Sequence, residues 1–315
     1  MNNNQTKESK PAKLASFIDY TGIYFGYKDS LENFYNTFKK VTKDLNHYYK
    51  FNANTFSYEV IAYLNNIEIL YVVSIYENRE GEGYTIQTRR LNNCSGKYCF
   101  EEMEKLWIKL NESGLVFCNK FIKFKENCGS RNKIIPNFLE LSLNDSKFYE
   151  DALKSIEKQL ESDYPVNQFG LYHIIDIIKN YELTEYLKKS NLIRKVVDKF
   201  VNLINPYLHR LFLVLIRELI DSCHEEIMKN NLILDYIYTR LNKNNFNDLY
   251  LYEEERQSLL ILKKLYNCEN GVYRKVLKEK NYTPILSKLI EVTDQEIVKE
   301  IAEEVNKLLI TPTDI

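Results

Sequence analysis

The stretch Leu187-Lys188-Lys189-Ser190-Asn191-Leu192-Ile193 returns twice in the same chain. It comes back as Ile227-Met228-Lys229-Asn230-Asn231-Leu232-Ile233, and again as Leu277-Lys278-Glu279-Lys280-Asn281-Tyr282-Thr283. Each copy closes a short helix, turns at an asparagine and opens a second, apolar helix. The copies begin at 187, 227 and 277, so the recurring unit is about 40 residues long. An all-helical unit of that size cannot bury its apolar face alone. It must lean on its neighbours, which is the construction of a helical solenoid.

Downstream of each asparagine the pattern predicts a third helix. The first begins at Pro206, a favoured first-turn residue, and runs through Leu211, Leu215 and Leu219. The second runs from about Glu253 through Leu259, Leu262 and Leu265. In the third, Asp294 is the expected N-cap, with Ile297, Ile301, Val305 and Leu308 on one face. Upstream, helical periodicity starts near Asp145, with Leu153, Ile156 and Leu160 on one face. Pro165 opens a further helix carrying Leu171, Ile174, Ile175 and Ile178.

Before residue 119 the periodicity is different. Leu31, Phe34, Phe38, Val41 and Leu45 mark a helix, with Asp29 and Glu32 spaced as in a capping box. Period two then takes over: strands are expected at Tyr48–Phe51, Phe56–Leu64, Ile67–Tyr76 and Tyr84–Leu91. Asn65-Asn66 suits a two-residue hairpin, and residues 78–83 a second turn. A closing helix carries Phe100, Met103, Leu106, Trp107 and Leu110. Phe17 to Tyr27 reads as a docked extended segment. The expected fold is therefore α+β: a tail (1–16), a helix–four-stranded antiparallel sheet–helix domain (17–118), a basic linker (119–144) and an all-α array (145–315).

The array resembles the armadillo family, most closely at residues 277–310. Leu277, Leu286, Leu289, Ile290, Asp294, Ala302, Leu308 and Leu309 stand in that family's helix-turn-helix roles. Asn191, Asn231 and Asn281 replace its glycine, and asparagine is the next residue most tolerant of positive φ. The resemblance implies a superhelix whose third helices line a groove for an extended peptide or a partner helix. Arg210, Arg217, Arg256 and Lys263 are the residues placed nearest that groove; the plainer reading makes them solvated surface. Arg90-Leu91, Ser95-Gly96 and Phe100 resemble the end of a kinase-associated domain of type one, with Asn92, Asn93 and Cys94 inserted. That likeness implies a module for acidic lipid heads or a protein neighbour, with Lys39, Lys40, Lys43, Arg89 and Arg90 as candidates. The other reading is a rigid cap over the first helix pair of the solenoid.

Net charge is −1 over 315 residues, so no global field draws the chain to nucleic acid. Lys120, Lys123, Lys125, Arg131 and Lys133 form the most basic patch. The six cysteines contain no C-x-x-C pair and the polar start lacks an apolar core. Free thiols in a reducing cytoplasm are expected. There is no Walker loop, G-x-S-x-G or H-E-x-x-H, and His47, His173, His209 and His224 are far apart. Catalysis, a metal site and a cofactor are therefore not expected. Glu253-Glu254-Glu255 reads as a solvated helix start. The expected function is an adaptor or scaffold for a protein partner; the alternative is a peripheral membrane or regulatory module that touches acidic lipid through the basic N-terminal half.

Overall fold

A computed structural model describes residues 10–13, 22–64, 67–78, 83–91, 96–117, 146–180, 187, 190–202, 205–228, 231–242, 249, 251–268 and 271–311. The hairpin turn at Asn65-Asn66, the basic segment from Lys120 to Lys133 and the linker 119–144 lie outside these residues. The chain divides into two compact units, Met1–Asn132 and Lys133–Ile315. Among the described residues there are eleven helices and one antiparallel sheet, so the fold is α+β.

The first unit runs β1 (Gly22–Tyr27), α1 (Leu31–Asp44), β2 (Tyr48–Asn52), β3 (Ser57–Leu64), β4 (Ile67–Glu77), β5 (Tyr84–Arg90) and α2 (Gly96–Glu112). The sheet order is β1-β5-β4-β3-β2. It has five strands, one more than the sequence suggests: the segment expected merely to dock pairs with β5 as an antiparallel edge strand, from Gly22 opposite Arg89 to Tyr27 opposite Tyr84. The apolar strand β4 is central, as its two-sided hydrophobicity implies. Residues 10–13, within the stretch expected as a tail, run beside it: Glu77 N–H donates to Ala12 O at 3.0 Å.

Strand alternation puts Tyr58, Val60, Ala62, Ile69, Tyr71, Val73, Ile75 and Ile86 on one face, and α1 and α2 bury it with Phe34, Phe38, Val41, Leu106 and Trp107. Phe25 and Trp107 lie with ring centroids 3.9 Å apart, and Trp107 Nε1 donates to Thr88 Oγ1 at 3.1 Å. Trp107 is thus a core residue. Burying each large apolar side chain here stabilises the unit by about 2–3 kcal/mol.

Two local expectations change. The cap of α1 is Ser30, whose hydroxyl accepts from Asn33 N–H at 3.2 Å. Asp29 instead accepts from Ser30 N–H and Asn33 Nδ2, at 2.7 and 2.6 Å. On α2, Phe100 is 52% exposed, and Cys99 takes the core position beside Met103.

The second unit runs α3 (Ser146–Glu161), α4 (Val166–Asn180), α5 (Leu192–Val201), α6 (Pro206–Met228), α7 (Leu232–Leu241), α8 (Leu251–Asn267), α9 (Arg274–Glu279), α10 (Thr283–Val292) and α11 (Glu296–Ile310). The packing is between sequence neighbours. Helices α4, α6, α8 and α11 lie side by side in that order, and α5, α7 and α10 form a second row against them. Asn191, Asn231 and Asn281 open the second-row helices at φ 56°, 54° and 51°. All three occupy the left-handed region that a Cβ normally disfavours, and Asn191 and Asn231, the N-caps of their helices, make no side-chain cap bond.

Within this second unit, direct bonds tie helices far apart in sequence. Tyr282 hydroxyl donates to Leu234 O at 2.8 Å, and Lys280 pairs with Asp235. Lys199 Nζ donates to the carbonyls of Leu160 and Ser162 at 2.6 and 3.2 Å, satisfying the C-terminal end of α3. In the second copy no loop separates the third helix from the following short one; α6 continues through a kink at Cys223, with φ −135° and ψ 29°. Asp294 is not the cap of α11. Gln295 holds that position, and Asp294 accepts from Tyr252 hydroxyl at 2.7 Å. The buried face of α11 is Val298, Ala302, Val305 and Leu309, while Ile297, Ile301 and Leu308 are half-buried.

Candidate functional site

The row α6–α8–α11 has an enclosed half and an accessible half. Every residue from Leu208 to Ile216 on α6 is buried, and so are Tyr252 to Glu255 and Gln257 to Leu259 on α8. At 100° per residue such runs cover the whole circumference, so these segments are enclosed on all sides. Farther along both helices, side chains emerge. Arg217 pairs with Glu218; Asp221 on α6 pairs with Lys264 on α8 at 2.5 Å; Lys263 on α8 pairs with Glu304 on α11 at 2.7 Å. Lys264 Nζ also donates to Arg217 O at 3.1 Å. A ladder of opposite charges therefore crosses the three helices.

The four expected groove residues divide accordingly. Arg217 and Lys263 belong to the ladder, with side chains 22% and 36% exposed. Arg256 is 22% exposed and reaches Glu253 at 3.5 Å, one turn back on its own helix. Arg210, 7% exposed, is withdrawn into the enclosed half, because α6 is flanked there by α4, α5, α7 and α8.

That enclosed half overturns the reading of Glu253-Glu254-Glu255 as solvated. The three are 5%, 3% and 5% exposed. Gln257 Nε2 donates to Glu253 Oε1 at 2.6 Å. Arg240 from α7 lies 3.5 Å from Glu254 Oε2 and 2.7 Å from His209 Nε2. A guanidinium only donates, so His209 Nε2 accepts and its proton sits on Nδ1, 3.8 Å from Glu254 Oε1. Arg240 also rests on the Tyr236 ring, 4.9 Å from its centroid. Burial pushes the Tyr236 hydroxyl far up from its ordinary value; Arg240 pulls it down and Glu254 pushes it up again. Two guanidinium groups thus meet this run of carboxyls, Arg240 at Glu254 and Arg256 at Glu253, each at 3.5 Å. Such a network fixes how α6, α7 and α8 fit together rather than offering chemistry to solvent.

In the first unit the five expected lipid contacts do not share one surface. Lys39 and Lys40 are exposed and Lys43 half-buried, all on α1. Strand alternation puts Arg90, opposite Tyr71, on the helix-covered side and Arg89 on the other. Sequence reading missed a buried triad there. Tyr71 hydroxyl lies 3.0 Å from His47 Nδ1, and His47 Nε2 lies 3.1 Å from Glu102 Oε2, while Lys105 reaches Glu102 Oε1 at 2.5 Å. Burial raises the Glu102 carboxyl, but the hydrogen bonds and charges of His47 and Lys105 outweigh it and hold it below its ordinary value. Burial, then the charges of Glu102 and Cys99, push Tyr71 well above the usual phenol range. The triad links the turn between α1 and β2, which carries His47, to β4 and α2. Its partners are 24 and 55 residues apart in sequence, too far for local patterning to reveal.

Among the described residues no three His, Cys, Asp or Glu side chains converge to hold a metal ion, and no helix is long and apolar enough to cross a membrane. No protein family, curated protein or solved structure matches the chain.

Proposed function

We propose that this chain is an adaptor or scaffold, with no catalysis of its own, whose second unit is an armadillo-like array binding a protein partner along α6, α8 and α11. The observation that carries this reading is the charge ladder: Asp221–Lys264 and Lys263–Glu304 cross adjacent helices on their accessible side. Exposed ion pairs of this kind contribute only about 0–1 kcal/mol each. A partner helix or extended peptide bearing both signs of charge can therefore take over these groups at little cost to the fold. The enclosed half of the same helices supplies a rigid base, since its side chains are locked by the Arg240–His209–Glu254 network.

The test is affinity capture with the native chain and with the Arg217→Glu/Lys263→Glu variant. The reading expects partners recovered by the native chain to be lost from the variant, with helical circular dichroism unchanged. Equal recovery by both would refute it.

A further inference from the structure

His209 is buried between two groups of opposite sign. Arg240 donates to its Nε2 at 2.7 Å, and Glu254 Oε1 lies 3.8 Å from its Nδ1. The same carboxylate holds Arg240 through its other oxygen, Oε2, at 3.5 Å. One anion therefore stands between a permanent cation and a ring that becomes a cation on taking a proton. Among the described side chains, α7 also brings the Tyr236 ring edge-on to His209, with centroids 5.9 Å apart. On α8, Glu253 and Glu255 flank Glu254, and Arg256 reaches Glu253. Arg210 is the next residue on α6 itself. The two other helices packed on α6 bury apolar side chains such as Leu171 and Ile174 of α4 and Phe200 of α5. Their His173, Asp176, Arg194, Lys195 and Asp198 are exposed, and Lys199 is taken up by the end of α3.

We propose that His209 is a pH-sensitive switch: on taking a proton it replaces Arg240 as the counter-ion of Glu254 and frees the C-terminal end of α7 from α6 and α8. The proton can enter only at Nε2, the atom that accepts from Arg240. An imidazolium has two donors and no acceptor, so the two cations cannot keep their 2.7 Å contact. One of them must leave. Of the three groups Arg240 has the widest path to water, its side chain 14% exposed against 3% for His209 and 4% for Glu254. Glu254 then serves the imidazolium through Oε1. The enclosed charge stays balanced, one cation to this carboxylate before and after the exchange. Nothing in the argument depends on what the accessible half of the array binds, so it stands apart from the adaptor reading.

The test is a pH series of urea unfolding, followed by helical circular dichroism, on the full chain and on Arg240→Met, each with and without His209→Gln. Glutamine can accept from Arg240 but takes no proton in this range. In Arg240→Met the imidazole has Glu254 to itself, so folding raises its affinity for a proton. That gain is fully present below the unfolded histidine value of about 6.5 and is lost as pH rises through the higher folded value. The native chain lacks the gain, because Arg240 already occupies Glu254. The unfolding constant of Arg240→Met relative to the native chain is therefore expected to fall by about tenfold between about pH 8 and about pH 5.5. With His209→Gln in both chains the ratio is expected to stay level. A ratio that does not fall, or that falls equally with His209→Gln, would overturn the proposal. Should Arg240→Met not fold, imidazole NMR of the native chain decides. The His209 ring, assigned by its loss in His209→Gln, is expected as the Nδ1–H tautomer at about pH 8 and as imidazolium in the folded chain by about pH 5.5. An Nε2–H tautomer, or a ring that stays neutral across the range, would overturn it.

Discussion

Replacing Arg240 by methionine probes the enclosed network most sharply. The guanidinium touches three groups from three helices: Glu254 at 3.5 Å, His209 Nε2 at 2.7 Å and the Tyr236 ring at 4.9 Å. Glu254 is only 4% exposed and Arg240 14%. Removing one partner of a buried ion pair strands the other charge, at about 3–5 kcal/mol. The 3.5 Å separation and the partial exposure of Arg240 favour the low end, about 3 kcal/mol. For a helical unit of this size that is a fall of roughly 6–12 °C in melting temperature. Thermal and urea unfolding followed by circular dichroism measure it. The double variant Arg240→Met/Glu254→Met removes both charges and leaves His209 Nε2 without its donor, so it is expected to lose only about 1–3 kcal/mol. The two singles added together should then exceed the double by more than about 0.5 kcal/mol, the mark of a coupled pair. A loss below about 1 kcal/mol for Arg240→Met, as for a surface pair, or strict additivity in the double, would refute the reasoning.

Three further outcomes are expected. Asn281 sits at φ 51° just before the N-cap Tyr282, so Asn281→Ala should destabilise by about 1 kcal/mol, whereas Asn281→Gly should be neutral or slightly stabilising; chemical denaturation distinguishes the two, and equal effects would contradict the left-handed joint. Tyr282→Phe removes the buried hydrogen bond to Leu234 O and leaves that carbonyl unsatisfied, with an expected loss of about 1–2 kcal/mol in the same assay. Glu102 lies below its ordinary value of 4.5 when folded. Its contribution is therefore fully present above that pH and is lost as pH falls through the lower folded value. The stability advantage of the native chain over Glu102→Gln, read from urea midpoints, should shrink as pH is lowered below 4.5; a gap that stays constant or widens would contradict the triad's role.

The joints of the second unit were legible in the sequence. Three asparagines recur before apolar runs, and each takes the one backbone region where asparagine outperforms other side chains except glycine. The helices were legible for the same reason, since Leu259, Leu262 and Leu265 repeat at three-residue steps and are fully buried. The phase of α11 was harder to read, because its apolar surface is wider than one stripe: Val298, Ala302 and Leu309 pack inward, while Ile297, Ile301 and Leu308 lie half-buried beside them. β1 was missed because Gly22 and Gly26 interrupt an aromatic run and hide the alternation of an edge strand.

The enclosed network was misread for a physical reason. Three successive glutamates ordinarily stay in water, and nothing local to Glu253 says that Arg240 and His209 will arrive from other helices. One signal was present: His209-Arg210 stands inside the apolar run from Leu208 to Ile216. A buried polar pair there needs partners, and the unused carboxylates of the next third helix are the available ones. Of the proposed contact surface, Arg217 and Lys263 were named from their helix positions, but their pairing with Glu218 and Glu304 needed the fold.

Hydrogen exchange on a chain weakened only at its last unit tests the stacking directly. With Asn281→Ala and Leu286→Ala combined, a neighbour-supported array loses protection in α9, α10 and α11, while α3, α4 and α5 exchange as in the native chain. Uniform loss of protection from Ser146 to Ile310 would mean a single cooperative globule, and would contradict the account.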